Sequence, residues 1–247
     1  MIHRFETIDS TNTRAKEMAQ QGAPHGTVLI ARQQTGGRGR LGRSFHSPPG
    51  AGIYMSMILR PKCSPDNLMH LTCATAVAMC DAVEAATGFR PGIKWTNDLV
   101  WGKRKLGGIL TELGFDGSEL AYAVVGIGIN CTQSADDFPP ELQEMAASLS
   151  MATGAPIDTS RLEEEMIRAL NTMDAELLTQ KDPILCRYRN DCVTLGKDIS
   201  VVSGQQIRHG KALDIDSQGG LIVAFGNGVT ETVAFGEVSI RGMYGYL

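Results

Sequence analysis

The sequence lacks the features that mark several classes of protein. Its first residues, Met1-Ile2-His3-Arg4-Phe5-Glu6, do not form the apolar segment of a secretory signal, and no run approaches the roughly 20 apolar residues of a membrane span. None of the six cysteines forms a Cys-x-x-Cys pair, and the five histidines include no His-x-x-x-His. These absences argue against a disulfide framework and a dedicated zinc site. We therefore expect a cytoplasmic, non-membrane protein with no fixed metal site.

What is present is enough for an ordinary packed core. The chain has 247 residues, of which 43% are apolar and 20% are charged. This length fits one large domain, or a large domain with a small companion. No repeat or low-complexity segment interrupts it.

Acidic residues are missing from one long stretch. No Asp or Glu lies between Glu17 and Asp66, whereas six basic residues do, so that stretch carries +6 and the remainder −10 within a net charge of −4. The net charge gives little reason to expect general nucleic-acid affinity. The basic stretch itself has two open interpretations, a local site for an anionic ligand or a solvated basic face.

The predicted elements up to residue 190 are mixed. The segment Asp9-Ser10-Thr11-Asn12 is typical of the start of a capped helix, and Ser64-Pro65 predicts a helix that ends near Gly88. Ser160 has capping-box spacing with Glu163. Buried or half-buried strands are predicted at 27–31, 53–59, 93–95, 99–101, 106–113 and 122–129, with a hairpin turn at Asp116-Gly117.

The pattern changes after about Asp191. Helical periodicity stops, and short alternating strands are joined by glycine-rich turns at 216–220 and 227–228. These features predict a small β-barrel. We therefore divide the chain into a main domain, 1–190, and a C-terminal domain, 191–247.

A glycine- and arginine-rich loop follows the first predicted strand. Its Gly37-x-Gly39-x-x-Gly42 spacing matches a dinucleotide fingerprint, but Ser47-Pro48-Pro49-Gly50 forbids the helix that the fingerprint needs. Glycines let backbone N–H groups approach an anion closely, and alternating arginines add guanidinium groups. The loop is a candidate clamp for phosphate or carboxylate. A basic surface loop without function is the alternative.

Three further segments combine glycine, lysine and short polar side chains at strand ends. They are Lys94-Trp95-Thr96-Asn97-Asp98, Lys105-Leu106-Gly107-Gly108-Ile109 and Gly126-Ile127-Gly128-Ile129-Asn130. Each alone is more typical of structure than of function, since glycine in a strand also serves close packing. Together they indicate a site for one anionic, partly apolar ligand.

These motifs, in this order, resemble those of the biotin–protein ligases of the short type without a DNA-binding domain. Ser10-Thr11-Asn12 and the tail segment Gly236-Glu237-Val238-Ser239-Ile240-Arg241 match as well. The resemblance implies an α+β fold, with a mixed-sheet catalytic domain of the biotin/lipoate ligase type, helices on one face, and a small C-terminal SH3-like β-barrel. It also implies formation of biotinyl-5′-AMP from biotin and Mg²⁺-ATP, and transfer of biotin to a lysine of a biotin carboxyl carrier protein. A monomer or homodimer without nucleic-acid binding or a repressor role is expected.

The resemblance also implies roles for individual residues. The residues expected to act in catalysis are Lys94, Asp98, Lys105 and Arg40. Those expected to bind biotin are Ser10, Thr11, Asn12, Gln34, Arg38, Gly39, Arg40 and Lys105. Those expected to bind ATP are Arg38, Arg40, Arg43, Lys94, Asn97, Asn130, Glu237 and Arg241.

Two departures from the family pattern and two rival functions remain. Thr96 stands where proline is usual and Phe45 where tryptophan is usual, which we expect to alter local packing and leave the chemistry intact. A lipoate or other acyl ligase is the rival among enzymes. A nucleic-acid-binding module is the rival of another class, against which stand the pI of about 5.7 and the few aromatic residues available for base stacking.

Overall fold

The larger sheet has seven strands, and the computed structural model describes residues 1–226, 228–234 and 238–242, the last five for their backbone alone. Its strands are β1 (Ile2–Ile8), β2 (Thr27–Gln34), β3 (Gly52–Leu59), β4 (Gly92–Lys94), β5 (Asp98–Trp101), β6 (Arg104–Asp116) and β7 (Glu119–Asn130). Their spatial order is β1-β2-β3-β7-β6-β5-β4. Strands β1 and β2 are parallel, and the other neighbours are antiparallel. The sheet is therefore mixed.

In the described part of the chain, five α-helices accompany this sheet. They are α1 (Thr11–Gln20), α2 (Leu71–Thr87), α3 (Leu149–Thr153), α4 (Thr159–Glu176) and α5 (Lys181–Asp191). Because successive strand residues point to opposite faces, Val28 and Ile30 contribute to the main core, which also contains the buried residues of α2, α4 and α5. Leu29 points the other way and joins Ala15 and Ala19 of α1 in a second, smaller cluster. The helices thus lie mainly on one face, and α1 is the exception.

The N-terminal starts of two helices differ from the prediction. Ser64-Pro65 begins only a short 3₁₀ turn, Pro65–Leu68, and α2 itself begins at Leu71. Its predicted end is confirmed, because Gly88 adopts a left-handed φ of 75° just after the last turn. The N-cap of α4 is Asp158, whose carboxylate accepts the backbone N–H of Arg161, so the capping box predicted at Ser160 is wrong.

A five-stranded antiparallel sheet follows α5. Its strands are β8 (Asp198–Ser203), β9 (Gln206–Ile215), β10 (Leu221–Phe225), β11 (Thr230–Val233) and β12 (Val238–Gly242), in the order β11-β10-β9-β8-β12. The turn predicted at 216–220 joins β9 to β10. Ala212, Leu221 and Val223 are buried and belong to the same apolar cluster as Ile93 of β4 and Trp95 just after it. The two sheets therefore share one continuous core, and the division at residue 190 stays a prediction.

The predicted α+β class, with a mixed sheet and a small C-terminal β-domain, is confirmed. Within the described residues one segment, Pro65–Thr87, has the length and apolarity of a membrane-crossing helix. Inside the protein 72% of its most apolar window is buried, as is usual for the central helix of a packed core.

Candidate active site

The segments singled out in the sequence meet in one cleft. It lies between the glycine-arginine loop, the N-terminus of α1 and the middle of strands β6 and β7, and it holds about 450 Å³ of empty space with its mouth included. Its lining residues are Ser10, Thr11, Asn12, Gln34, Arg38, Gly39, Arg40, Phe45, Asn97, Lys105, Gly108, Ile109, Leu110, Gly126, Ile127 and Gly128.

One end of the cleft is built from neutral polar side chains. The backbone N–H and the hydroxyl of Thr11 both donate to Gln34 Oε1, over 2.9 and 3.1 Å. The buried hydroxyl of Ser56 lies 2.7 Å from Asn12 Oδ1 and 2.8 Å from the hydroxyl of Thr11. Gln34 Nε2 donates to the hydroxyl of Ser47. These contacts fix the side chains, so the end of the cleft is a preformed surface of hydrogen-bonding groups.

Two strand glycines make room for that arrangement. A Cβ atom at Gly126 would stand 1.8 Å from Asn12 Oδ1, and one at Gly128 would stand 2.5 Å from the ring of Phe45. Both distances are far below van der Waals contact. Glycine is therefore required here for close approach to side chains across the cleft, as the Gly126-x-Gly128 pattern indicates.

The glycine-arginine loop is attached to the sheet at two points. Arg38 contacts both carboxylate oxygens of Glu112 on β6, at 3.3 and 3.4 Å. Arg40 Nη1 donates to Asn97 Oδ1 over 3.0 Å and to the hydroxyl of Thr96 over 3.3 Å. The pKa of Arg40 is lower than its ordinary value, mainly because of burial. The carboxylate of Asp98 raises this pKa, and the charge of nearby Arg43 lowers it further. The two arginines place positive charge in the lining of the cleft.

A lysine and a carboxylate stand beside each other at the charged end. Lys105 Nζ lies 2.5 Å from Asp98 Oδ1, and it lies 6.0 Å from the centroid of the Phe45 ring, within cation–π range. A Cβ at Gly108 would stand 3.0 Å from Lys105 Nζ. The glycine thus leaves the lysine space to reach the cleft. Lys105 and Asn97, whose Nδ2 donates to Asp98 Oδ1 over 3.3 Å, both connect the cleft lining to Asp98.

The turn that carries Asn97 and Asp98 is supported from behind. The backbone N–H of Trp95 donates to the hydroxyl of Thr194, and the indole Nε1 donates to the carbonyl of Gly219, in the turn between β9 and β10. The hydroxyl of Tyr188 on α5 donates to the carbonyl of Thr96. These contacts come from three separate segments. The turn is therefore held at a fixed position relative to both sheets.

The predicted site residues fall into three groups. Those that line the cleft are Ser10, Thr11, Asn12, Gln34, Arg38, Gly39, Arg40, Asn97 and Lys105. Those that stand outside its lining are Arg43, which is exposed, Lys94 and Asn130, which are buried, and Asp98, which is paired with Lys105. Glu237 lies outside the described residues, and Arg241 is described only by its backbone, on β12 opposite Ser200.

The basic stretch between Glu17 and Asp66 is not one site. Arg38 and Arg40 face the cleft, whereas Arg60 donates to the carbonyls of Ala19, Ala23 and Ala121 and so serves the fold. Arg32 contacts Glu6 at 3.7 Å on the outside. The anionic-ligand interpretation is thus restricted to the loop, where it stays a prediction.

Sequence analysis missed three residues that shape this cleft: Ser47, Ser56 and Glu112. Ser56 and Glu112 stand in ordinary strand patterns, and nothing in their spacing marks them as functional. Glu112 is the more visible of the two, since it follows Gly107-Gly108-Ile109-Leu110 closely on the same strand. A charged residue near such a glycine pair is the signal that was available.

Both parts of the chain match known protein families. Residues 4–130 match the biotin/lipoate A/B protein ligase family, and residues 194–241 match the biotin protein ligase C-terminal domain.

Individual proteins and structures are similar over most of the chain. A bifunctional ligase/repressor BirA from Bacillus spizizenii is 36% identical over 91% of this chain and 69% of that protein. A biotin–[acetyl-CoA-carboxylase] ligase from Mycobacterium tuberculosis is 32% identical over 93% of this chain and 85% of that protein. The structure of a biotin protein ligase from Aquifex aeolicus in complex with biotin and ATP superposes with a TM-score of 0.84, at 28% identity and over 98% of both chains.

Proposed function

Because the chain belongs to the biotin/lipoate A/B protein ligase family, we propose that its biotin–protein ligase activity runs through an enzyme-bound adenylate. In the first step biotin and ATP give biotinyl-5′-AMP and pyrophosphate. In the second step the biotinyl group passes to one lysine of a biotin carboxyl carrier protein. Relatives named as biotin–[acetyl-CoA-carboxylase] ligases support this acceptor class.

The observation that carries the proposal is the polarity of the cleft. One end offers the fixed neutral groups of Thr11, Asn12 and Gln34, and the end next to Asn97 and Asp98 offers the cations Arg40 and Lys105. Biotin has the same polarity, with a ureido ring that forms neutral hydrogen bonds and a carboxylate at the end of an apolar chain. We therefore place the ring near Thr11 and Gln34 and the carboxylate near Lys105.

The first step brings two anions together. A carboxylate oxygen attacks the α-phosphorus of ATP, a P–O bond forms, and the P–O bond to the leaving pyrophosphate breaks. Preorganised cations are the main means by which a protein lowers such a barrier. We assign this role to Arg40 and Lys105 at the cleft. Further cations are Arg38 and Arg43 on the loop and Lys94 on β4. The residues that we assign as nucleotide contacts are Asn97, Asn130, Glu237 and Arg241.

The second step needs an uncharged acceptor amine. The lysine nitrogen attacks the acyl carbon, the acyl–phosphate bond breaks, and AMP leaves. Asp98 already holds one ammonium group, that of Lys105 at 2.5 Å, which supports the proposal that its carboxylate orients the acceptor lysine and takes its proton. Lys105 would by then contact the anionic adenylate. No enzyme nucleophile is required.

Magnesium would enter with the nucleotide. Across the described part of the chain, no group of three or more His, Cys, Asp or Glu side chains forms a metal site. The side chains around the cleft are therefore compatible with an ion held mainly by ATP phosphate oxygens, which is the common mode for Mg²⁺ in nucleotide sites. When bound, the ion would supply charge neutralisation at the phosphates.

We further propose that this chain is a cytoplasmic ligase, a monomer or homodimer, that binds no nucleic acid and has no repressor role. All six cysteines are unpaired, as is usual in a reducing compartment. The loop arginines Arg38 and Arg40 contact Glu112 and Asn97 at the cleft, and the net charge is −4. A steep loss of DNA binding with added salt would contradict the absence of nucleic-acid binding.

The adenylate is tested by pyrophosphate exchange. Purified protein is mixed with ATP, Mg²⁺ and labelled pyrophosphate, with and without biotin. Label that enters ATP only when biotin is present supports reversible formation of biotinyl-5′-AMP. Biotin transfer without any exchange would contradict this intermediate and leave the ligase activity in place.

A further inference from the structure

Glu112 is the meeting point of three segments around the cleft. Its carboxylate accepts Lys16 Nζ over 2.8 Å and Asn12 Nδ2 over 3.0 Å, both from α1. It also contacts Arg38 of the glycine-arginine loop at 3.3 and 3.4 Å. Both carboxylate oxygens are used. The same side chain thus joins β6, α1 and the loop.

The carboxylate is well suited to hold these partners. Its side chain is only 20% exposed. Burial raises the pKa of Glu112, but the hydrogen bonds from Lys16 and Asn12 and the charges of Lys16 and Arg38 together lower it by more, so its pKa lies below the ordinary value. At neutral pH the group is therefore an anion beside two cations.

Two of its partners, Asn12 and Arg38, line the cleft. The Asn12 amide is oriented by donation to Glu112 and to the carbonyl of Leu110, and its oxygen faces Ser56. Arg38 of the loop is held by both oxygens of the same carboxylate. We propose that Glu112 is a positioning residue of the ligase, which fixes the Asn12 amide and the Arg38 end of the loop before biotin binds. This role rests on the proposed function, because it supposes that the cleft receives biotin.

A simpler role for Glu112 would be to anchor α1 to the sheet. Lys16 separates the two roles, since it pairs with Glu112 from α1 but lies outside the cleft lining. If anchoring were the whole role, Lys16→Met would reproduce the effects of Glu112→Gln. In our proposal Lys16→Met leaves the Asn12 and Arg38 contacts and has little effect on the loop.

The first test measures the loop and needs no ligand. Chymotrypsin cleaves after Leu41 and Phe45, and Leu41 is 50% exposed. Fragments from the free full-length chain are timed by mass spectrometry for wild type, Glu112→Gln, Lys16→Met and Glu119→Gln, an exposed glutamate on β7. We expect cleavage in Glu112→Gln to be about threefold to fivefold faster, the upper range for one partly exposed ion pair. Equal rates in Glu112→Gln and Glu119→Gln would overturn the loop role.

The second test measures the reaction. We expect Glu112→Gln to raise the KM for biotin in pyrophosphate exchange by about fivefold, with kcat changed by less than about twofold. A purely structural role would lower the active fraction, which reduces kcat and leaves KM unchanged. That result would overturn the proposal. A chain with normal loop protection and no exchange at all would instead contradict the proposed function.

Discussion

The indole Nε1 of Trp95 donates a hydrogen bond to the carbonyl oxygen of Gly219, over 3.0 Å, across the junction of the two sheets. The side chain is 3% exposed. Trp95 immediately precedes Thr96, Asn97 and Asp98, the turn to which Arg40 is attached. The C-terminal sheet is therefore joined to the charged end of the cleft through a buried side chain.

Replacement of Trp95 by Phe removes this donor and keeps an aromatic ring. We expect a loss of about 1–3 kcal/mol in the free energy of unfolding, because a buried carbonyl loses its partner. We also expect the KM for ATP to rise, since Asn97 is attached to this turn. Urea denaturation and ATP titration of pyrophosphate exchange measure the two effects. The matched control is Trp101→Phe on β5, where the side chain is 37% exposed, and this variant should behave as wild type.

Lys105→Gln should reduce the rate of adenylate formation by about 10²–10³-fold, the usual cost of one preorganised electrostatic donor. The fold should survive, because Lys105 is 29% exposed and its Asp98 partner can be solvated. Single-turnover formation of biotinyl-5′-AMP measures the rate. Lys103→Gln, the same change at an exposed turn residue, serves as the control. An equal loss of rate in both variants would show that the rate depends on the net charge of the protein and not on the position of Lys105.

Asp98→Asn should reduce transfer more than adenylate formation. The amide cannot take a proton from the acceptor lysine, whereas the cations that act in the first step remain. Biotinyl-5′-AMP should therefore accumulate on the enzyme in the presence of the carrier domain. Quench experiments that follow adenylate and biotinylated carrier in parallel measure both steps. Equal losses in the two half-reactions would mean that Asp98 acts only by orienting Lys105.

Gly126→Ala should weaken biotin binding strongly. The added Cβ would lie 1.8 Å from Asn12 Oδ1, so the Asn12 side chain must leave its position at the polar end of the cleft. Gly36→Ala is a control at the same end, because its Cβ would meet only the carbonyl of Asp9, at an ordinary 3.5 Å. Isothermal titration with biotin compares the two variants. Similar affinities would contradict the placement of the biotin ring near Asn12.

The stabilising effect of Glu112 should depend on pH in a defined direction. Its pKa is lower in the folded protein than in the unfolded chain, so the unfolded state binds more protons between the two values and stability rises with pH there. The charged groups that face it are Lys16 from α1 and Arg38 from the loop.

This pH dependence can be isolated by difference. The contribution is complete above the unfolded value of about 4.3 and is lost as the pH falls through the folded value. Urea midpoints of wild type and Glu112→Gln should therefore differ by a constant amount from about pH 7 to pH 5 and converge toward about pH 3. A difference that grew on acidification would have the wrong sign for this account.

The parts of the site that could be predicted are those with local causes. The hairpin at Asp116-Gly117 forms because Gly117 adopts a positive φ of 59°. The dipeptide Asp-Gly alone predicts such a turn. The Gly126-x-Gly128 pattern indicated close approach because strand glycines have few other uses. Lys105 could be recognised as a candidate site residue because it lies next to two such strand glycines, Gly107 and Gly108.

The parts that could not be predicted depend on which elements meet. Ser56 and Asn12 are 44 residues apart, and Trp95 and Gly219 are 124 residues apart. Their contacts exist because β3 packs against α1 and because the C-terminal sheet shares the main core. The position of α1 also depends on which elements meet. This helix lies on the face of the sheet opposite the main core, where Leu29 packs against its Ala15 and Ala19.

In the proposed reaction this cleft activates biotin and transfers it to a carrier lysine. The most direct measurement is a transfer assay with purified protein, Mg²⁺-ATP, a biotin carrier domain and biotin, with lipoate and octanoate in parallel reactions. We predict a biotinylated band that requires ATP, disappears when the carrier lysine is replaced, and has no counterpart with the other two acids. Transfer of lipoate or octanoate in place of biotin would contradict the assigned substrate, and no transfer of any acid would contradict the account as a whole.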